Sequence, residues 1–381
     1  MTARELVLEH HSLLVRDGRI LEILPTRRAA ERYSASVTLT RAAHLLMPGM
    51  VNVDAHGAQN SDGVLRAIAQ MLKSGITSFT DRRSPPDAAA RAAQEQGMRV
   101  LIGMPVAESA TPWAKSAPEY LSRALALRDE YRGHPLVSTA FAPLAANSLK
   151  DATFARLATL ADELDAGIML DVNASAAEIL ECDTEHGVRP LQRLWNLGLL
   201  TPALNAVHMV AANAADLELA QSAGISVSLC PQMNLYAGWG LPPAAALVAA
   251  RIRFGLGSGN AAPLGDAVWG EMKLLALMLH AADLGATPWS AWDAAAAATH
   301  GGAAILGLDA EIGTLETGKW ADLCCVDLEG LGERARDPVQ AIVYAGSPDM
   351  VTDVWVAGRQ LLSQRELTRL DWPTLAASAA G

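Results

Sequence analysis

The chain has 381 residues, of which 51% are hydrophobic, and this is enough apolar material for one large domain or two. Its 41 acidic residues outnumber its 30 lysines and arginines, and the basic residues form no stripe, which argues against a nucleic-acid partner. No apolar run is long enough to cross a bilayer, and the N-terminus lacks the pattern of a signal peptide. We therefore expect a cytoplasmic protein without a membrane partner, whose four cysteines are buried free thiols.

Both ends of the chain have β character. Residues 13–15 and 19–24 predict a hairpin, because the intervening Asp17-Gly18 supplies the positive φ of a tight turn. Turn and strand patterns return at residues 313–327 and 351–360. We predict that residues 1–49 and 309–381 form one composite β-sandwich domain.

Between these ends the chain repeats a strand, a loop and a helix. Eight short apolar strands are predicted at residues 50–53, 76–80, 99–103, 136–140, 168–172, 204–207, 225–229 and 252–256. Eight such units indicate a parallel, closed (β/α)8 TIM barrel over residues 50–308, so the predicted fold class is α/β. An open, doubly wound sheet is the alternative, but no Gly-x-Gly-x-x-Gly turn favours it.

Polar side chains follow the first predicted barrel strand. Asp54 and His56 are two residues apart, so on an extended strand both side chains point to the same side. A carboxylate and an imidazole therefore lie together at the carboxyl end of the strand, where barrel proteins carry their active sites.

Several sequence blocks resemble the amidohydrolase superfamily. Residues 47–52 (Met-Pro-Gly-Met-Val-Asn) and 313–327 are similar to its N-terminal and C-terminal signatures. Residues 230–235 (Cys-Pro-Gln-Met-Asn-Leu) and 255–258 (Gly-Leu-Gly-Ser) resemble the triazine hydrolase and aminopurine deaminase branch, and most closely the methylthioadenosine/S-adenosylhomocysteine deaminases. The resemblance covers nearly the whole chain. It implies metal-assisted hydrolysis, in which a divalent ion activates water.

Carried over position by position, the resemblance implies that most of the family's metal ligands are replaced. The histidine pair after the first strand becomes Asp54 and His56. The histidine ligand after the fifth strand becomes Asp171, and the one after the sixth strand is kept as His208.

Three further family positions are also changed. The proton-shuttling glutamate falls at Ala174, the aspartate ligand of strand eight falls at Gly259, and a substrate-binding histidine falls at Leu144. The long loop that normally follows the first strand is almost absent. These changes predict that no metal cofactor is bound.

Three interpretations follow. The favoured one is a degenerate amidohydrolase, without a catalytic metal or C–N hydrolase/deaminase activity, that acts as a binding or partner subunit in a homo-oligomer or beside an active paralogue. The second is an enzyme with rebuilt, metal-independent acid–base chemistry on a small nitrogenous substrate. The third is a metal-dependent aminopurine or triazine-type deaminase.

Candidate site residues accompany these interpretations. The candidate catalytic residues are Asp54, His56, Asp171 and His208, and the candidate substrate-binding residues are Asn173, Asn260 and Asp81. A weak alternative places a divalent ion at Asp54, His56 and Asp171. Without an ion, the two carboxylates would face each other, and both burial and like charge would raise their pKa values. A small ligand with an amine or protonated heterocycle would suit such a site.

Overall fold

The computed structural model describes residues 7–55, 58, 60–259, 267–282, 289–372 and 375. Within this part of the chain the strands are β1 (His11–Arg16), β2 (Arg19–Pro25), β3 (His44–Pro48), β4 (Met50–Asn52), β5 (Ile76–Asp81), β6 (Arg99–Val106), β7 (Val137–Pro143), β8 (Ile168–Val172), β9 (Leu204–His208), β10 (Ser226–Leu229), β11 (Arg253–Leu256), β12 (Leu323–Asp327), β13 (Val351–Val356), β14 (Arg359–Ser363) and β15 (Glu366–Leu367).

The α-helices alternate with the strands of the central region. They are α1 (Thr26–Arg32), α2 (Ser61–Lys73), α3 (Pro86–Gln96), α4 (Ala117–Glu130), α5 (Asp151–Leu164), α6 (Ala176–His186), α7 (Pro190–Asn196), α8 (Ala214–Ala223), α9 (Pro231–Tyr236), α10 (Ala244–Ala249), α11 (Ala267–Ala281), α12 (Ala291–Ala296), α13 (Gly302–Ile305) and α14 (Pro338–Ala345). A π-helix, Ala297–Gly301, joins α12 to α13. Two short 3-10 helices, Glu329–Arg336 and Pro348–Met350, lie near the C-terminus.

Strands β4 to β11 form one parallel sheet in which spatial neighbours follow chain order. The amide of Val53 donates to the carbonyl of Leu256 at 3.0 Å, and this bond joins the first strand to the last. Every residue of β5 is buried, as expected for a parallel strand covered on both faces. The predicted (β/α)8 barrel is therefore confirmed, and the open-sheet alternative does not apply.

The antiparallel sheets lie beside the barrel. Strands β3, β12, β13, β14 and β15 form one sheet, and β1 pairs with β2 in a second. The two sheets share an apolar cluster that includes Ile20, Leu323 and Trp355. Because β3 pairs with β12, the two ends of the chain meet in one antiparallel domain. The domain bounds 1–49, 309–381 and 50–308 stay a prediction.

The link between β3 and β4 connects this domain directly to the barrel. The amide of Gly49 donates to the carbonyl of Asp322 at 2.9 Å. The amide of Met50 donates to the carbonyl of Gly75 at 3.0 Å. A Cβ atom at Gly49 would lie about 2.1 Å from the Thr77 side chain, so only glycine fits there. The first barrel strand is thereby fixed at its start.

All four cysteines, which lie within the described residues, are buried and form no disulfide. Among the helices that the structure describes, none combines the length and the apolar character needed to cross a membrane.

A buried ion pair fastens the antiparallel domain to the barrel, and it gives a stability prediction. Arg99 at the start of β6 donates from Nε and Nη2 to Asp322 at 2.9 and 3.1 Å, with both side chains almost fully buried. Arg99→Ala leaves the buried Asp322 carboxylate without a cationic partner, so we expect the free energy of unfolding to fall by roughly 3–5 kcal/mol. Thermal and denaturant unfolding measure this loss.

The matched control is Arg27→Ala. Arg27 pairs with Glu31 on an exposed helix surface, and such pairs contribute at most about 1 kcal/mol. Equal losses of unfolding free energy in the two variants would contradict the conclusion that the Arg99–Asp322 ion pair holds the antiparallel domain against the barrel.

Candidate functional site

The side chain of Arg82 lies between two carboxylates at the carboxyl end of the barrel. Its Nε atom donates to Oδ1 of Asp54 at 2.7 Å, and its Nη2 atom lies 3.4 Å from Oδ2 of Asp54. The same Nη2 atom donates a short hydrogen bond to Asp171. Nη2 of Arg83 lies 3.8 Å from Asp54 and 4.0 Å from Asp171. Two guanidinium groups therefore balance two carboxylates.

Local structure places Arg82 in this position. It follows β5 in a turn whose backbone is held by Asp81, since Oδ1 of Asp81 accepts from the amides of Arg83 and Ser84 at 3.0 and 2.9 Å. In the neighbouring strand β6, a Cβ atom at Gly103 would lie 2.4 Å from the Cβ atom of Arg82. The turn thus directs Arg82 inward, and the glycine leaves space for it.

The last barrel strand holds Asp54 from the other side. The amide of Gly259 donates to the backbone carbonyl of Asp54 at 2.7 Å. Asn52 exchanges two hydrogen bonds with Ser258, at 2.9 and 3.0 Å. A Cβ atom at Gly257 would lie 2.6 Å from the amide nitrogen of Asp54, so the two chain segments can approach this closely only with glycine there.

The arginines determine the charge of Asp54. Burial alone would raise its pKa, but the charges of Arg82 and Arg83 and the hydrogen bond from Arg82 outweigh burial and lower the pKa to about 2. Burial would lower the pKa of Arg82, yet Asp54 and Asp171 raise it. The expectation of a raised pKa at Asp54 is therefore wrong, because the sequence argument did not foresee a guanidinium between the carboxylates.

His208 lies beside this array at the end of β9. Its Nε2 atom is 3.6 Å from Oδ1 of Asp171, and the Trp239 ring stands edge-on to its ring at a centroid distance of 5.1 Å. Neither ring nitrogen has a hydrogen-bond partner among the described residues. Burial lowers the pKa of His208 more than Asp171 and Asp54 raise it, so the imidazole is neutral near pH 7.

Glu178 brings a third carboxyl group to the same end of the barrel. It lies in the first turn of α6, and its Oε2 atom accepts from the amide of Ala174 at 2.6 Å. Its Oε1 atom is buried and has no partner among the described residues. Burial and the charge of Asp171 outweigh the backbone hydrogen bonds and raise the pKa of Glu178 to about 7.

The amide side chains of Asn173 and Asn234 are buried and could bind a polar ligand. Asn173 follows β8 in a left-handed conformation with φ of 50°, and Asn234 lies in α9. Within the described part of the chain, neither the oxygen nor the nitrogen of either side chain has a hydrogen-bond partner. Each amide can offer two N–H donors and a carbonyl oxygen acceptor to a polar ligand.

The structure places Asp54, Asp171 and His208 near one another, and their catalytic roles stay a prediction. Asp81 is buried and caps the turn that carries Arg82, and its pKa is raised by burial. His56 and Asn260 lie outside the described residues. The sequence analysis missed Arg82, Arg83 and Glu178. The signal for the arginines was present, since two basic residues directly follow a barrel strand.

The structure shows the surroundings of the three positions that the resemblance implies to be changed. Ala174 is buried and uses its amide to hold Glu178. Gly259 has φ of 57°, and a Cβ atom there would lie 2.6 Å from Met233, so an aspartate would be strained. Leu144 is exposed on the surface.

A divalent ion does not fit the described residues in this arrangement. Carboxylates and imidazoles are suitable ligands, but in the part of the chain that the structure describes no group of three such residues converges. The Arg82 guanidinium occupies the space between Asp54 and Asp171 that an ion would need.

These features define a class of protein: a (β/α)8 barrel with ionisable side chains gathered at the carboxyl ends of its strands, where the catalytic groups of such barrels lie. The sequence pattern of the amidohydrolase family matches residues 45–361. The chain belongs to the amidohydrolase family.

Individual relatives are similar over almost the whole chain. A 5-methylthioadenosine/S-adenosylhomocysteine deaminase of Teredinibacter turnerae is 36% identical, with 97% of this chain and 91% of the relative aligned. The deaminase of the same name from Saccharophagus degradans is 33% identical, over 95% and 89%.

Two crystal structures share the fold. An adenosine deaminase from Xanthomonas campestris with bound zinc matches with a TM-score of 0.94 at 36% identity, over 99% of this chain and 93% of that chain. An atrazine chlorohydrolase from Arthrobacter aurescens, also with zinc, matches with a TM-score of 0.88 over 99% and 96%. At 20% identity, the second similarity concerns the fold alone.

These comparisons correct two predictions. The degenerate partner subunit without deaminase activity is contradicted by relatives that are named deaminases, and the metal-independent alternative is contradicted with it. The absence of a metal cofactor is contradicted by the zinc in the Xanthomonas protein. The sequence argument counted each replaced ligand as a lost ligand, although an aspartate oxygen can bind a divalent ion in place of a histidine nitrogen.

The contact between Gly103 and Arg82 gives a second stability prediction. Gly103→Ala would force Arg82 and its backbone to move, so we expect a loss of about 1–3 kcal/mol in unfolding free energy. Gly167→Ala is the control, because its Cβ atom would meet its nearest neighbour at 3.5 Å, an ordinary contact. Thermal unfolding of both variants tests the prediction, and a larger loss in Gly167→Ala would contradict it.

Proposed function

We propose that this protein is a hydrolase of C–N bonds that deaminates an amino-substituted nitrogen heterocycle of the aminopurine class. The observation that carries the proposal is the juxtaposition at adjacent strand ends of a neutral imidazole, His208, with the carboxylate of Asp171. The names of the relatives support the substrate class, since they are deaminases of methylthioadenosine, S-adenosylhomocysteine and adenosine.

The overall reaction replaces an amino group by oxygen. Water adds to the ring carbon that bears the amino group, the C–N bond breaks, and ammonia leaves with the protons it requires. The protein must therefore bind the heterocycle, hold the water near the carbon, and deliver a proton to nitrogen.

His208 is suited to contact the ring. Its imidazole is neutral and buried, and both ring nitrogens are free to accept or donate a hydrogen bond within the described site. The nearby Asp171 carboxylate would strengthen a hydrogen bond that the imidazole donates to a ring nitrogen. Asp171 itself is 15% exposed, so one side of it can meet water or substrate.

Glu178 is suited to carry the proton. A carboxyl group with pKa near 7 is partly protonated at neutral pH and can both release and take up a proton. Its second oxygen, Oε1, has no partner in the described structure and is the atom that would hold this proton.

The first functional prediction concerns His208. The purified protein, assayed with zinc added and without it, is expected to release ammonia from S-adenosylhomocysteine, methylthioadenosine or adenosine. His208→Asn should lower kcat/KM by about 10²-fold or more, because the ring contact is lost. His280→Asn, on the exposed face of α11, is the control and should retain full activity. Absence of ammonia release from all three substrates under both conditions would refute the proposed function.

The second functional prediction concerns pH. Glu178 must be protonated to donate, so we expect kcat to fall as pH rises through about 7. Glu178→Gln cannot titrate and should lower kcat by roughly 10²- to 10⁴-fold while removing this limb of the pH profile.

Glu181→Gln is the matched control for that experiment. Glu181 lies on the same helix and bonds to Asn147 at the surface, at 2.7 Å. Its variant should keep both the rate and the profile. If kcat of Glu178→Gln still falls as pH rises through about 7, the group that titrates is not Glu178.

A further inference from the structure

We infer that Glu271 is a positioning residue of the candidate site. Its buried carboxyl group holds the segment of residues 230–239 in place, and this 230–239 segment keeps the Trp239 ring against His208. The effect on catalysis rests on the proposed function, whereas the effect on the placement of Trp239 does not.

The hydrogen bonds of Glu271 are the first argument. Glu271 lies in α11 and is 1% exposed. Its Oε2 atom accepts from the amide of Gln232 at 2.8 Å, and the amide of Met233 forms a second hydrogen bond to the carboxyl group. Both amides lie in the first turn of α9, where backbone donors have no partner inside the helix. The carboxyl group on α11 therefore satisfies donors that would otherwise be buried without a partner.

The shortness of α9 makes this contact important. The helix has six residues, and a helix of that length is unstable by itself, so contacts with the rest of the protein must hold it. The neighbouring Gly270 leaves room for the Gln232 side chain, since a Cβ atom there would lie 2.2 Å from it. Close packing of α11 and the hydrogen bonds to Glu271 thus act on the same end of α9.

Glu271 acts as a hydrogen-bond acceptor more than as a charge. Burial outweighs the two hydrogen bonds from the backbone and raises the pKa of Glu271 to about 8. The carboxyl group is therefore mostly protonated near pH 7 and can still accept hydrogen bonds at its carbonyl oxygen. A glutamine at this position would keep a neutral carbonyl oxygen in a side chain of nearly the same shape.

The 230–239 segment contacts the strand ends that form the site. Sγ of Cys230 lies 3.9 Å from Oδ2 of Asp54. Met233 packs so closely on the end of the last barrel strand that a Cβ atom at Gly259 would lie 2.6 Å from its side chain. A displacement of this segment would therefore be felt at the carboxyl end of the barrel.

Trp239 is the residue through which the segment reaches His208. The amide of Trp239 donates to the carbonyl of Asn234 at 2.9 Å, which ties the tryptophan to the last part of α9. Its ring stands edge-on to the His208 ring at a centroid distance of 5.1 Å. The same ring packs against the buried cluster of Val207, Cys230 and Met233. The hydrogen bonds of Glu271 are thus connected to the imidazole through α9 and Trp239.

A fluorine NMR signal from Trp239 tests the placement directly. The protein is labelled with 5-fluorotryptophan, and the Trp239 signal among the nine tryptophans is assigned by its loss in Trp239→Phe. Glu271→Leu removes both hydrogen bonds at similar side-chain volume, so we expect the Trp239 signal to shift or broaden. Glu271→Gln keeps a neutral acceptor and should leave the signal in place. An unchanged Trp239 signal in Glu271→Leu would overturn the inference.

Arg99→Ala is the control for a general loss of stability. Arg99 lies at the start of β6 and pairs with Asp322 in the antiparallel domain, so its loss destabilises the protein at the other end of the barrel. We expect this variant to keep the Trp239 signal of the unaltered protein. A shift as large as that in Glu271→Leu would attribute the change to lost stability and would overturn the inference.

Glu271→Asp covers the case in which Glu271→Leu fails to fold. It keeps the carboxyl group but shortens the side chain by one methylene, so the hydrogen bonds to α9 weaken. We expect a smaller shift of the Trp239 signal, and faster amide hydrogen exchange in the 230–239 segment than in the unaltered protein. Unchanged signal and unchanged exchange in this variant would also overturn the inference.

Steady-state kinetics test the effect on catalysis. We expect kcat of Glu271→Leu to fall by about 10²-fold with a smaller change in KM, because a displaced His208 contact misaligns the substrate for reaction. Glu271→Gln should restore kcat. A kcat that is unchanged in Glu271→Leu would overturn the positioning role. If the unaltered protein itself deaminates none of the three substrates, the proposed function fails, while the Trp239 signal still decides whether Glu271 holds the segment.

Discussion

A guanidinium group buried between two carboxylates governs the carboxyl end of this barrel. Arg82 joins the strand that carries Asp54 to the strand that carries Asp171, which lies across the barrel from it. Removal of Arg82 would leave the buried Asp54 carboxylate with Arg83, 3.8 Å away, as its nearest cation, and a buried charge that loses its hydrogen-bonded partner is strongly unfavourable in a protein interior. The positions of the surrounding groups follow from this arrangement.

The side chains around Arg82 have pKa values that are shifted in different directions. Asp54 is directly bonded to the arginine and has its pKa lowered to about 2, whereas Glu178 bonds only to backbone amides and has its pKa raised to about 7. His208 is kept neutral by burial. One end of the barrel thus holds an ionised acid, a partly protonated acid and a neutral imidazole, three groups whose surroundings separate their pKa values.

Much of the fold could be predicted from sequence, because apolar periodicity and turn residues report local structure directly. The eight barrel strands lie within a few residues of their predicted positions, and the hairpin around Asp17-Gly18 is present. That Asp54 and Asp171 lie at the same end of the barrel could be predicted, because both follow predicted barrel strands. The position of Arg82 could not be predicted, because it depends on the space that Gly103 leaves in the next strand and on the hydrogen bonds of Asp81 to the turn.

The function was predicted less well for a related physical reason. Residue-by-residue comparison records which ligands have changed, but it does not record what the new side chains do together. Ala174 illustrates this: the resemblance puts a family glutamate at this position, and in the structure the Ala174 amide donates to the carboxyl group of Glu178 on the following helix. Such a contact appears only in three dimensions.

The short link at Gly49 has a mechanical consequence. Strand β3 belongs to the antiparallel domain, and the single residue Gly49 separates it from β4, which leads straight to Asp54. Backbone hydrogen bonds from Gly49 to Asp322 and from Met50 to Gly75 fix the link on both sides. A shear movement of the antiparallel domain would be transmitted to Asp54 over the length of a single strand. We therefore expect the first barrel strand to depend on the antiparallel domain for its alignment.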